Sequence, residues 1–148
     1  MASVTGGNQL AARLRSMVNK LQNDPSVNVG FLGGATYPDG TSVGMVATIN
    51  EFGAPSRGQP PRPFFRNMLA KESPGWPRQV TSLLKSTNYD GRQVMTQMGF
   101  MIQGQLVQSI MTLTDPPLAP STVRGKGFAK PLIDTGVMWH SIDHEVIS

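Results

Sequence analysis

The stretch GRQVMTQMGFMIQGQLVQSIMTL, residues 91–113, decides the fold, because it carries the clearest helical pattern in the chain. Its apolar residues recur every three or four positions, as they do on one face of an amphipathic helix: Val94, Met98, Met101, Ile102, Leu106, Ile110 and Leu113. The pattern predicts one long helix from about Gly91 to Thr112. Gly99 and Gly104 each weaken that helix by about 1 kcal/mol relative to alanine, and we expect them to allow close approach of another backbone.

Patterns on both sides of this segment predict shorter elements. Residues 9–22 place apolar side chains at helical spacing, which predicts an amphipathic helix. Val27, Val29 and Phe31 alternate with small or polar residues, and residues 142–147 alternate in the same way, so each stretch predicts a strand.

Turn and cap residues predict the remaining short helices. Thr41 is a candidate N-cap for a helix over residues 42–52, and Pro63 suits the first position of the next helix. Further short helices are expected around Val80 and over residues 137–141.

Together these elements predict an α+β fold: a small antiparallel sheet packed against the long helix, with additional short helices and long Pro/Gly-rich loops. Pairing of the Val27 strand with the C-terminal strand is expected from topology alone. We expect residues 1–8 to be a mobile N-terminus and residues 9–148 to form a single domain with an extended loop at 53–62.

The composition limits the function classes. The chain has 148 residues, a net charge of +4 and no cysteine, so disulfides and cysteine nucleophiles are excluded. Its basic residues are scattered, which is typical of an ordinary surface, although a nucleic-acid-binding module is also compatible with the charge. The chain contains no apolar run of about 20 residues, and we expect no membrane contact.

Two motifs are compatible with catalysis, and each has a simpler interpretation. Asp134-Thr135-Gly136 follows a hydrophobic pair, as in aspartic proteases, but only 12 residues follow Gly136, so a helix cap is the alternative. His140 and His144 have the spacing of metal ligands on a helix, but the alternating C-terminus favours a strand at His144. We therefore expect neither an enzyme nor a cofactor.

Several segments in a fixed order resemble a known family of bacteriophage proteins. The segments are Val29-Gly30-Phe31-Leu32, Tyr37-Pro38-Asp39-Gly40-Thr41, Ala47-Thr48-Ile49-Asn50-Glu51-Phe52-Gly53, Pro61-Arg62-Pro63-Phe64-Phe65-Arg66, Pro117-Leu118, Thr122, Lys126-Gly127, and Pro131-Leu132-Ile133-Asp134-Thr135-Gly136 with Ser141-Ile142 behind it. In this order the chain resembles the tail-completion and head–tail joining (neck) proteins of long-tailed phages. The resemblance implies a ring-forming subunit without cofactor or catalytic residues.

The expected function is therefore that of a structural virion protein at the phage neck or at the head-proximal end of the tail. It would assemble in the host bacterial cytoplasm, and its partners would be itself and neighbouring neck, connector or tail-tube/terminator proteins, with DNA passing through the ring. The alternatives are a hydrolase using Asp134 and a basic nucleic-acid-binding module.

The loop at 53–62 is the expected interface. Pro55, Pro60 and Pro61 predict a stiff, extended arm, and the arginines offer forked donors for carboxylates or phosphates. We expect the arm to contact an adjacent subunit or the next ring, and the alternative is a solvent-facing linker. The candidate interface residues are Arg57, Arg62, Phe64, Phe65, Arg66, Arg124 and Lys126.

Overall fold

The computed structural model describes residues 6–118, 120–126 and 136–148. Short 3-10 turns, Pro55–Arg57 and Ser73–Gly75, precede the third and fourth helices. The helices and strands follow one another as α1 (Gly7–Leu21), β1 (Ser26–Gly30), α2 (Val43–Phe52), α3 (Phe64–Glu72), α4 (Trp76–Ser86), α5 (Gly91–Thr112), α6 (Pro120–Lys126), α7 (Val137–His140) and β2 (Asp143–Ile147).

Helix α5 forms the centre of the fold, with the boundaries that its sequence predicts. Asp90 caps its N-terminus by accepting a hydrogen bond of 3.0 Å from the backbone N–H of Gln93. Its buried face is the apolar stripe of the sequence, in which only Met101 stays half-buried. The core residues of α5 are Val94, Met98, Ile102, Leu106 and Ile110.

Strands β1 and β2 form a two-stranded antiparallel sheet, in register from Ser26 opposite Ile147 to Gly30 opposite Asp143. Both strands contact α5. The predicted α+β fold and the pairing of these two strands are therefore confirmed.

Gly99 sets the distance between α5 and the sheet. A Cβ atom on Gly99 would lie 2.8 Å from Cγ of His144 and 3.0 Å from Cγ2 of Val27, which is too close for either contact. The close neighbours are side chains of the sheet rather than another backbone. At Gly104 nothing lies within 4 Å of such a Cβ, so the prediction of a close approach is wrong there.

Helix α1 is present as predicted, but its apolar face is largely exposed, with Met17 and Leu21 of that face half-buried. None of its residues is buried, and Leu10, Leu14 and Val18 are 60%, 52% and 58% exposed. Lys20 Nζ donates a hydrogen bond to the carbonyl oxygen of Asn88 at 3.2 Å, close to the C-terminal end of α1. The helix begins at Gly7, so the predicted boundary at residue 9 is two residues late.

One predicted helix cap and one predicted first helical residue each differ from the structure by one position. Ser42, not Thr41, caps α2, and its Oγ accepts from the backbone N–H of Met45 at 3.3 Å. Thr41 instead donates its N–H to Asp39 Oδ1 at 2.9 Å within the preceding turn. Pro63 is the N-cap of α3 rather than its first helical residue.

Among the described residues, no helix combines the length and the apolar character that crossing a bilayer requires.

Candidate functional site

The loop at 53–62 is compact rather than extended, so the prediction of a stiff arm is wrong. Ala54 and Gln59 exchange both backbone hydrogen bonds, at 2.9 and 3.1 Å, and the 3-10 turn Pro55–Arg57 lies between them. Gly58 ends that turn in the left-handed conformation at φ 64°. Hydrogen bonds within the loop therefore satisfy several of its backbone groups. The proline-rich composition gave no indication of these bonds.

Both ends of this loop are fixed to α2. A Cβ atom on Gly53, which has φ 77°, would lie 2.7 Å from the backbone nitrogen of Pro61, so only glycine fits. At the far end, the N–H of Arg62 donates to the carbonyl oxygen of Asn50 at 2.6 Å. Gln59 Nε2 also donates to Asn50 Oδ1, at 3.1 Å. The side chain of Arg62 therefore starts from a rigid backbone.

A cleft of about 960 Å³ lies beside this loop. Its wall combines polar groups with apolar side chains from distant parts of the chain, including Val46, Leu118 and Met138. The loop brings Arg57 and Arg62, both predicted interface residues, to the same cleft.

Arg62 is the unusual residue of the cleft. It is only 7% exposed, and its Nε is buried without a hydrogen-bond partner. Within the described parts of the chain, its guanidinium group has neither a hydrogen-bond acceptor nor a carboxylate within ion-pair distance. Since a buried charge is costly unless it is paired, Arg62 marks this cleft as the candidate functional site.

Asp39 adds a negative charge to the wall of the cleft. Hydrogen bonds from the backbone N–H and the hydroxyl of Thr41 lower the pKa of Asp39 below its ordinary value. Asp39 therefore stays ionised at neutral pH, and in the described residues it forms no ion pair with either arginine of the cleft.

The other predicted interface residues lie elsewhere. Phe64 is 1% exposed in the core, so it anchors the base of the loop, while Phe65 is half-buried against that core. Arg66 is bound intramolecularly, with its Nε 2.8 Å from Oε1 of Glu51. Arg124 is exposed on α6.

Three predicted features lie outside the described residues: the side chain of Lys126, and both Asp134 and Thr135. The protease hypothesis based on Asp134 therefore stays a prediction. His140 lies in α7 and His144 in β2, as the alternating pattern predicts. Where the structure is described, no three His, Cys, Asp or Glu residues come together as a metal site.

Sequence reasoning missed Glu51 and Asp39 as organising residues. Glu51 is 6% exposed and bonds to the first turn of α3, and Asp39 faces the cleft. Both residues occur in the segments listed in the sequence analysis, but a motif alone does not show which side chain is buried.

In the comparisons with known proteins, no family model matches the chain, and no curated protein or solved structure is significantly similar to it.

Proposed function

We propose that this chain is a structural virion protein, a ring-forming subunit at a bacteriophage neck or at the head-proximal end of the tail. It would serve tail completion and head–tail joining, contacting copies of itself and neighbouring neck, connector or terminator proteins. The ordered phage-like segments support the proposal, from Val29-Gly30-Phe31-Leu32 to Ser141-Ile142.

The exposed apolar face of α1 is the observation that carries the proposal. Its side chains Leu10, Leu14 and Val18 are spaced four residues apart and all point away from the core. A helix of 15 residues has marginal stability in water by itself, and its amphipathic face normally gains stability by packing. In a ring, the neighbouring subunit would cover this face through a head-to-tail contact.

The charges of α1 favour a specific contact over nonspecific hydrophobic association. Arg13, Arg15 and Lys20 flank the apolar stripe, and the helix contains no acidic residue. A covering surface with carboxylates at its rim would complement these charges and set the register of the contact.

The location is tested by immunogold electron microscopy on phage particles released from the host that encodes the chain. An antibody against this protein should label the junction between head and tail. Labelling confined to capsid faces or to the distal tail tip, or particles without label beside labelled free protein, contradicts the proposal.

A further inference from the structure

We infer that the cleft beside Arg62 is a binding site for a carboxylate that a protein partner supplies, from an Asp or Glu side chain or from a C-terminus. The inference goes beyond the proposed ring, and it follows from the geometry of the cleft whether or not the chain forms one.

Arg62 places a buried positive charge in the wall of the cleft. Its side chain is more than nine-tenths buried, its Nε has no acceptor in the described chain, and it lines a cleft large enough for a side chain. A guanidinium group presents five N–H donors in a planar fork, which matches a carboxylate in a two-point contact. An anionic group in the cleft would therefore satisfy a charge that the described residues leave unpaired.

The side chain of Arg62 extends from an ordered stretch of backbone. Pro61 and Pro63 flank Arg62. The backbone N–H of Arg62 donates to the carbonyl oxygen of Asn50 at 2.6 Å, and its own carbonyl oxygen accepts from the N–H of Phe64 at 2.8 Å. Because the backbone is already ordered, the fork loses less conformational entropy on binding than a lysine or arginine on a free loop.

The lining of the cleft favours a carboxylate on a peptide over a phosphate. Asp39 stays ionised in the wall of the same cleft, and its repulsion of a dianionic phosphate would offset part of the attraction that Arg57 and Arg62 exert. Val46, Leu118 and Met138 offer apolar contact for the methylene groups that carry such a carboxylate. Exposed Arg57, at the same cleft, adds long-range attraction. A peptide segment fits this lining better than a nucleic-acid backbone.

The test follows, by NMR at constant ionic strength, the backbone N–H resonances of the cleft-lining residues Gly58 and Gln59 in the full chain and its variants, together with the side-chain Nε–H resonance of Arg62 in the wild type. The probes are the blocked peptide Ala-Ala-Glu-Ala-Ala, its Gln counterpart, succinate and inorganic phosphate. The Glu peptide should shift these resonances saturably, and the Gln peptide should bind at least about tenfold more weakly, because it lacks the charge-assisted bonds.

Two variants separate a binding residue from a packing residue. Arg62→Lys should lose at least about tenfold in peptide affinity, because an ammonium cannot make the two-point contact. Arg62→Met should abolish binding yet raise the melting temperature of the isolated chain, since it removes a buried charge that has no partner among the described residues. Arg78→Met, an exposed change of equal charge on α4, should alter neither property.

Several results would overturn the inference. Phosphate binding more tightly than the Glu peptide would point to nucleic acid, and succinate binding as tightly as the peptide would point to a free dicarboxylate. No saturable shift with any probe, or a lower melting temperature for Arg62→Met together with unchanged peptide binding, would identify Arg62 as a packing residue.

Discussion

Glu51 shows how single residues connect the quoted segments. Its carboxylate accepts hydrogen bonds from the backbone N–H groups of Phe65 and Arg66, at 2.8 and 3.1 Å. These donors belong to the first turn of α3, where the helix leaves N–H groups without intrahelical partners and favours negative charge. The guanidinium of Arg66 reaches back to the same carboxylate and lies 5.0 Å from the ring centre of Phe52. The end of α2 thus fixes the start of α3.

Replacing Glu51 by Gln should lower the free energy of unfolding by about 2 kcal/mol, since charge-assisted hydrogen bonds are weakened and the Arg66 pair is lost. Urea denaturation followed by circular dichroism measures the change. Glu145→Gln, on the exposed side of β2, is the matched control and should stay within about 0.5 kcal/mol of wild type. If both variants unfold alike, Glu51 does not stabilise α3.

At the scale of elements, we predict that alanine at Gly99 and alanine at Gly104, both in α5, change the stability of the protein in opposite directions. Alanine at Gly99 would collide with His144 and Val27, so Gly99→Ala should cost about 2 kcal/mol of unfolding free energy as an overpacking change. Alanine at exposed Gly104 meets no neighbour and should stabilise the helix by about 1 kcal/mol. Thermal melts of the two variants check the pair. Equal shifts for both would mean that the sheet does not pack at Gly99.

Periodicity predicted the elements that pack on the core, and it predicted little about the loops. The boundaries of α5 follow from apolar spacing, because burial imposes that spacing, whereas the pairing of β1 with β2 is expected from topology alone. The turn at 53–62 depends on the hydrogen bonds between Ala54 and Gln59, which leave no periodic signal. Residue type and loop position made Arg57 and Arg62 candidates, but the burial of Arg62, with no partner for its Nε among the described residues, is evident only in three dimensions.

At the scale of the whole molecule, a charge placed in the core should abolish cooperative unfolding, because the buried apolar residues that the structure describes form one cluster. Leu106 is fully buried on α5, so Leu106→Asp should cost several kcal/mol and abolish the cooperative melting transition. Gln97→Asp introduces the same charge at an exposed position of α5 and should leave the transition in place. A wild-type melting curve for Leu106→Asp, followed by calorimetry, would place the core elsewhere.

The exposed stripe of α1 leads to the central claim that the chain assembles into a ring. Leu14 lies on that stripe, and Ser16 is exposed on the same helix away from it. A charge at Leu14 would be buried in a subunit contact, whereas a charge at Ser16 would stay in water. Leu14→Asp should therefore block assembly, and Ser16→Asp should permit it, without a change in the melting temperature of the monomer.

Native mass spectrometry across a range of protein concentrations tests that claim most directly. We predict that the wild-type chain and Ser16→Asp pass from monomer to one discrete closed oligomer as concentration rises, while Leu14→Asp stays monomeric. A wild-type chain that stays monomeric at every concentration, an open-ended ladder of masses, or an oligomer that Leu14→Asp leaves intact would contradict a ring built through α1.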